Sequence, residues 1–192
     1  MQARQHSGSQ EGENPLGHRY DIERASDLHM EWCRALMKRA DLGTSSPAPD
    51  SGLLVPRGTA RCSGIDAEIL LGGDTAPLTV MNLAIGKDQG APAHISFEED
   101  KGFCVETGRL LFLVASERMI VAPGDRIYVA RGVTHGFSAI DDDAKMILTS
   151  TPARHDRFFM AMDALPIPHL PKDVHAVCRR FGQEIVAPVV SL

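Results

Sequence analysis

Between residues 53 and 152, short apolar runs alternate with turn signals, and this pattern is typical of β-strands. The runs include Ala67–Leu71, Leu78–Ile85 and Leu110–Ala115, and the first two are followed by glycine- and aspartate-rich turns. Many short strands at regular spacing, with few helical windows, indicate a closed barrel or a sandwich. The pattern therefore predicts an all-β fold for this part of the chain.

The segments on either side of the predicted strands have different patterns. Residues 1–16 contain almost nothing to bury, which predicts a flexible tail, whereas residues 17–43 carry apolar side chains at helical spacing and predict an N-terminal helix. Residues 44–52 are rich in proline and serine, which predicts a linker. The barrel is expected over residues 53–155, and residues 156–192 are expected to form helices followed by an extended arm.

Composition and charge exclude several classes of function. The chain has 192 residues, with 20 basic and 25 acidic side chains and a formal net charge of -5. This balance argues against nucleic-acid binding, which needs a basic face. No stretch approaches ~20 consecutive apolar residues, so no membrane-spanning helix is predicted. The first residues lack the apolar core of a secretory signal, and the four cysteines form no CxxC pair, which predicts a cytoplasmic protein with free thiols.

Two segments carry the motifs that bear on chemistry. Residues 92–108 read PAHISFEEDKGFCVETG, and residues 123–137 read PGDRIYVARGVTHGF. Together they resemble the paired motifs of the cupin superfamily, especially its small, quercetin-dioxygenase-like members with a single barrel. The resemblance implies a jelly-roll barrel of antiparallel strands, often dimeric, with its functional site inside the barrel. We therefore expect an all-β jelly-roll (cupin) barrel with an N-terminal helix and a C-terminal helical segment, assembled as a homodimer.

The resemblance also implies a metal site, but this chain departs from the family pattern at two of the four ligand positions. Where the family has His-x-His, a glutamate and a final histidine, this chain has His94, Ser96, Lys101 and His135. A hydroxyl is a poor ligand for a divalent metal, and a protonated amine offers no lone pair. At ~4 Å and an effective dielectric near 20, exchanging a carboxylate for an ammonium changes the interaction by roughly 8 kcal/mol. We therefore predict no tightly bound catalytic metal and no other cofactor.

The first hypothesis for the function is a metal-independent enzyme that acts on an oxygenated small molecule by isomerisation, cyclisation or elimination. Its catalytic groups are predicted to be His94, Lys101 and His135, because histidine and desolvated lysine exchange protons near neutral pH. Ser96 is predicted to position the substrate. The remaining predicted substrate-binding residues are apolar: Phe103, Phe112, Phe137 and Met146.

Two other hypotheses remain open on the sequence. A metal-dependent, dioxygenase-like oxidoreductase would complete its ligand set with Asp100 or Glu99, and a slip of one residue would bring Asp100 to the acidic position. A non-catalytic barrel would only bind a small ligand. The role of Lys101 is also left open by the sequence. It is either a catalytic cation or a side chain that forms a salt bridge with Glu98 or Glu99. In each case the expected partner is a small molecule.

Overall fold

The structure is a computed structural model that describes residues 52–191. The predicted tail, the predicted N-terminal helix and all but the last residue of the predicted linker lie outside the described residues. In the described range no helix is long and apolar enough to cross a membrane.

Within residues 52–191, ten short strands precede two helices, and an eleventh strand follows them. In chain order the strands are β1 Gly58–Cys62, β2 Ile65–Leu71, β3 Thr79–Ile85, β4 Gly90–Ser96, β5 Asp100–Thr107, β6 Leu110–Val114, β7 Glu117–Val121, β8 Arg126–Val129, β9 Thr134–Ala139, β10 Ala144–Thr151 and β11 Gln183–Val189. The helices, α1 His155–Asp163 and α2 Pro171–Arg180, lie between β10 and β11.

The strands form two antiparallel sheets that enclose one core. The six-stranded sheet has the order β1-β2-β3-β10-β5-β8, and the five-stranded sheet has the order β11-β4-β9-β6-β7. Strands distant in the chain are neighbours, as in the pairing of β3 with β10 and of β4 with β9. Such crossovers are typical of jelly-roll barrels. The predicted all-β jelly roll is therefore confirmed.

The C-terminal arm is part of the barrel, which differs from the expected boundary at residue 155. Strand β11 pairs with β4, so that Gln183 lies opposite Ser96 and Ile185 lies opposite His94. The helices α1 and α2 therefore form an insertion between two barrel strands. The sequence pattern did not show this pairing because it joins residues almost ninety positions apart, and local periodicity carries no information on partners at that separation.

The core lies between the sheets and follows the alternation of side chains along each strand. In β10, Met146 and Leu148 are buried in the main apolar cluster, whereas Lys145 on the opposite face is exposed. Burying an apolar side chain of this size stabilises the fold by about 1.5–3 kcal/mol. Ser150, on the same inward face, is also buried. The inward face of β10 thus changes from apolar to polar towards its C-terminal end.

At Gly90 the backbones of β4 and β9 leave no room for a side chain. A Cβ atom at this position would overlap the carbonyl oxygen of Phe137. We expect Gly90→Ala to lower the free energy of unfolding by about 2–3 kcal/mol, because the backbone of β9 must move to accept the methyl group. Urea denaturation measures this change. Gly58→Ala is the matched control, since the nearest atom to its Cβ, on Ile69, is 4.0 Å away; equal losses in the two variants would contradict the prediction.

Candidate functional site

A mostly apolar pocket enters the barrel beneath the two helices. Its volume is about 630 Å³, including the part that is open to solvent. The helices contribute Phe158, Phe159 and Met162 to the wall, and the barrel contributes Phe103, Phe137 and Leu148. The longer polar side chains that face this apolar wall are His94, Lys101, His135, His155 and Gln183.

Lys101, on β5, is the polar centre of the pocket. Its side chain extends into the barrel and is only 2% exposed. The Nζ atom lies 3.2 Å from Nε2 of His94 and 3.4 Å from Nε2 of His135. Burial lowers the pKa of Lys101 to about 8, although the charge of Glu99 acts in the opposite direction. The amine is therefore mostly protonated at neutral pH and able to release a proton slightly above it.

Backbone hydrogen bonds set the tautomers of the two histidines. His94 Nδ1 lies 2.7 Å from the carbonyl oxygen of Pro92, and His135 Nδ1 lies 3.0 Å from that of Val133. Because a carbonyl only accepts, each Nδ1 carries the hydrogen and each Nε2 presents a lone pair. Both lone pairs accept hydrogen bonds from Lys101. Burial and then the charge of Lys101 hold the pKa of His94 well below its usual range and lower that of His135 to about 3.

Strand register brings these side chains together. Strands β4 and β9 pair His94 with His135, and the two ring centroids are 4.1 Å apart. Lys101 belongs to the other sheet, opposite Ser150 of β10, and reaches across the barrel. Ser96 follows His94 by two residues and is buried as well, but it does not line the pocket, and its hydroxyl has no hydrogen-bond partner within residues 52–191.

The donor set does not fit a divalent metal ion. The two imidazole lone pairs that would bind the ion both face the ammonium of Lys101. That group donates hydrogen bonds to them and repels a cation. In the part of the chain that the structure describes, no group of three or more His, Cys, Asp or Glu side chains is arranged to hold a metal. The amine of Lys101 thus stands where a metal would have to bind.

The acidic residues considered as replacement ligands point elsewhere. Asp100 forms a salt bridge with Arg131, 2.6 Å long, on the outside of the barrel. Glu99 is buried, but its Oε2 atom is 3.1 Å from Nδ1 of His155. Burial favours the neutral acid, but the hydrogen bond with His155 and the positive charges of Lys101 and Arg157 help to outweigh it, and the pKa of Glu99 is lowered. Neither carboxylate completes a set with His94, so the structure gives no support to the dioxygenase-like hypothesis.

Lys101 also does not form the salt bridge that the sequence left open. Glu98 pairs with Arg154 instead. Among the described residues no carboxylate forms an ion pair with Lys101, and its hydrogen-bond partners are the two imidazoles. The charge of Glu99 raises the pKa of Lys101 through space, without an ion pair between them. The cation is therefore directed into the pocket.

His155 is a candidate functional side chain that the sequence analysis missed. It is the first residue of α1, is buried, and lines the same pocket. Its Nδ1 atom contacts Glu99, and Nε2 of Gln183 lies 3.4 Å from the same nitrogen. No motif surrounds His155 in the sequence. The available signal was its position at the end of the predicted barrel, just before a helical pattern.

The predicted apolar substrate-binding residues divide between the pocket wall and the core. Phe103 and Phe137 lie on the wall, with ring centroids 5.9 Å apart. The expectation for Phe112 and Met146 is corrected: both are fully buried and do not line the pocket. Phe112 lies behind the wall, 5.2 Å from each of the other two rings. Core and wall positions face the same side of a strand, so alternation cannot separate them.

Solved structures share this fold, although no family model and no curated protein matches the chain. KdgF from Halomonas sp. is 19% identical, over 56% of this chain and 98% of that chain, with a TM-score of 0.50. Pac13 of Streptomyces, described as a nucleoside dehydratase, is 15% identical over 73% of this chain and 94% of its own, also with a TM-score of 0.50. An RmlC-like cupin from Shewanella frigidimarina NCIMB 400 is 19% identical over 60% of this chain and 96% of its own, with a TM-score of 0.45. At these identities the similarity concerns the fold.

Proposed function

The chain has the cupin fold, and we propose that it is a metal-independent enzyme that performs acid–base chemistry on a small oxygenated molecule inside its barrel. The reaction class is elimination, isomerisation or cyclisation. The observation that carries the proposal is the ammonium of Lys101, held between the Nε2 atoms of His94 and His135. A buried cation in an apolar pocket is suited to stabilise negative charge that develops on a substrate oxygen.

Lys101 supplies both charge and a proton in this proposal. Its hydrogen bonds to His94 and His135 use two of the three ammonium hydrogens and leave the third for the substrate. In a water-excluded pocket an electrostatic contact of this kind is stronger than in water. Because the pKa of Lys101 is about 8, the amine can protonate a leaving hydroxyl near neutral pH.

His94 and His135 position the amine. Both imidazoles are neutral near pH 7, since burial and the charge of Lys101 lower their pKa values. They therefore accept hydrogen bonds from the ammonium without adding positive charge to the pocket. The side chain of Lys101 has four rotatable bonds, and two fixed acceptors hold its end in one place.

The competing hypotheses differ in what they require of this pocket. A dioxygenase-like enzyme needs a carboxylate near the imidazoles, and Asp100 and Glu99 have other partners. A barrel that only binds a ligand would use the same pocket without turnover. Detection of turnover therefore distinguishes the proposed enzyme from a binding barrel. Metal independence, the homodimer and the cytoplasmic location remain predictions.

We expect Lys101→Met to reduce turnover by about 100- to 1,000-fold, the usual cost of removing one group that stabilises an oxyanion. The assay incubates the EDTA-treated full-length protein with a panel of oxygenated metabolites. Nucleosides are included because Pac13, which shares the fold, is described as a nucleoside dehydratase. Mass spectrometry detects loss of water, and NMR detects isomers.

The control for this variant is Lys145→Met, which changes an exposed lysine of β10 and is expected to leave turnover unchanged. Turnover that disappears with EDTA and returns with a divalent metal would contradict the proposal. Saturable ligand binding with no turnover of any bound compound would favour the binding barrel instead.

A further inference from the structure

We infer that His155, oriented by Glu99, is the general base that acts opposite Lys101, and that the substrate is a carbon acid with a carbonyl or carboxylate group beside the reacting carbon. This inference rests on the proposed acid–base function. It adds to that function a catalytic residue, a positioning residue and a substrate class.

Of the three imidazoles that line the pocket, His155 is the one with a ring nitrogen left for a substrate. In His94 and His135, Nδ1 is bound to a backbone carbonyl, and Nε2 faces the ammonium of Lys101. A lone pair engaged in that way is not available to a substrate proton. His155 directs Nδ1 to Glu99, and no hydrogen bond joins its Nε2 atom to any residue between 52 and 191. The structure therefore points to His155 as the base.

Glu99 gives His155 the correct tautomer for this role. The carboxylate Oε2 only accepts and lies 3.1 Å from Nδ1, closer than the Gln183 amide nitrogen at 3.4 Å, so Nδ1 carries the hydrogen and Nε2 the lone pair. Both side chains are almost fully buried, at 5% and 1% exposure. The negative charge of Glu99 also stabilises the imidazolium that forms when the base takes a proton. A buried carboxylate hydrogen-bonded to Nδ1 orients a catalytic histidine in the same way in other enzymes.

Aromatic rings hold His155 in place. Its ring stacks on Phe158, with centroids 5.4 Å apart, and meets the edge of Phe159 at 5.3 Å. These contacts oppose rotation of the imidazole and exclude water from its faces. The second oxygen of Glu99, Oε1, is buried without a hydrogen-bond partner in the described range. An unsatisfied buried carboxylate oxygen is costly, so the pair is not optimised for stability alone.

The charges around His155 keep it ready to accept a proton. Burial and then the charge of Lys101 lower the pKa of His155, whereas the hydrogen bond that it donates to Glu99 and the charges of Glu99 and Asp156 act to raise it. The net pKa is below the usual value of 6.5. The imidazole is therefore neutral at physiological pH, which a general base requires.

The two groups together complete a proton-transfer cycle. Nε2 of His155 takes a proton from the carbon beside the carbonyl, and the electron pair of that C–H bond forms an enolate whose oxygen Lys101 stabilises. In an elimination, the pair then forms a carbon–carbon double bond while a β-hydroxyl leaves with a proton from Lys101. After the product leaves and water enters the pocket, His155 gives its proton to water and the lysine amine takes one from water, so the net change is the loss of one water molecule.

Hydrogen–deuterium exchange tests the inference without knowledge of the natural substrate. Dihydroxyacetone, glyceraldehyde and 2-oxobutyrate are incubated with the full-length protein in D₂O, and ¹H NMR follows exchange at the carbon beside the carbonyl. We expect the wild-type protein to accelerate exchange of at least one probe and His155→Asn to reduce that acceleration by about 100-fold. The matched control is His175→Asn, which changes an exposed histidine of α2.

The variants separate a failure of this inference from a failure of the proposed function. Exchange that is lost in Lys101→Met but unchanged in His155→Asn overturns the role of His155 and leaves the acid–base function standing. Turnover of a compound from the metabolite panel with no exchange of carbon-bound hydrogen overturns the substrate class alone. Absence of both turnover and exchange in the wild-type protein overturns both proposals.

A measurement on the wild-type protein guards against variants that fail to fold. ¹⁵N NMR of the histidine rings reports which nitrogen carries the hydrogen. At pH 7 we expect His155 to carry a hydrogen on Nδ1 and none on Nε2. We expect Glu99→Gln to lose this preference for the Nδ1–H tautomer and to slow hydrogen–deuterium exchange of the probe. A hydrogen on Nε2 of His155 in the wild-type protein overturns the inference, and an exchange rate that Glu99→Gln leaves unchanged overturns the positioning role of Glu99.

Discussion

The Lys101→Glu variant is expected to bind a divalent transition metal ion at least about 1,000-fold more tightly than the wild-type protein. The substitution places a carboxylate where an ammonium now faces Nε2 of His94 and Nε2 of His135. Two imidazole nitrogens and one carboxylate are a ligand set that transition metals bind well. At ~4 Å and an effective dielectric near 20, the change removes a repulsion of about 4 kcal/mol and adds an attraction of similar size. Either contribution of about 4 kcal/mol by itself corresponds to a roughly 1,000-fold change in affinity.

Titration calorimetry with Zn²⁺ and elemental analysis after dialysis measure this gain. The Lys101→Met variant is the first control, because it removes the repulsion and offers only a weak thioether in place of a carboxylate. Its affinity should lie between those of the other two proteins. Lys145→Glu, on the exposed face of β10, controls for the change in net charge. If Lys101→Glu binds no more zinc than Lys101→Met, the interpretation that the lysine stands at the metal position is wrong.

Acidification is expected to destabilise the protein steeply below pH 6.5. An unfolded histidine binds a proton near pH 6.5, whereas folded His135 binds one only near pH 3. Between these values the unfolded state binds more protons, so the free energy of unfolding falls by about 1.4 kcal/mol per pH unit for this one residue. The pKa of His94 is shifted in the same direction, as is that of His155. Below pH 4.5 the lowered pKa of Glu99 adds a further loss.

Urea denaturation at pH 7.5 and pH 5 measures this dependence. His135 alone contributes a loss of about 2 kcal/mol between pH 6.5 and pH 5. His135→Gln should flatten the dependence, because its side chain does not titrate, whereas His175→Asn at the exposed position should keep it. A wild-type protein that is equally stable at the two pH values would show that the buried imidazoles are protonated in the folded state.

The local pattern of the chain was sufficient to predict an all-β fold, and the resemblance of its two motifs to the cupin family supplied the barrel. Alternation such as that of β10, where Met146 and Leu148 are buried and Lys145 is exposed, arises from the geometry of a single strand and can be read without knowing its neighbours. The two motifs were likewise sufficient to single out His94, Lys101 and His135, which the structure brings into contact. The motif spacing also placed Lys101, rather than Asp100, at the inward position.

The sequence by itself thus determined the strands, because strand alternation is a local property. Through the resemblance of its motifs to the cupin family, it also indicated that a lysine replaces a metal-binding acid. Only the tertiary structure decided the partners: Glu99 with His155, β11 beside β4, and Phe112 behind the pocket wall rather than on it. These contacts join residues far apart in the chain. They depend on how the two sheets and the helices close over one another, which no local pattern of hydrophobic and polar residues specifies.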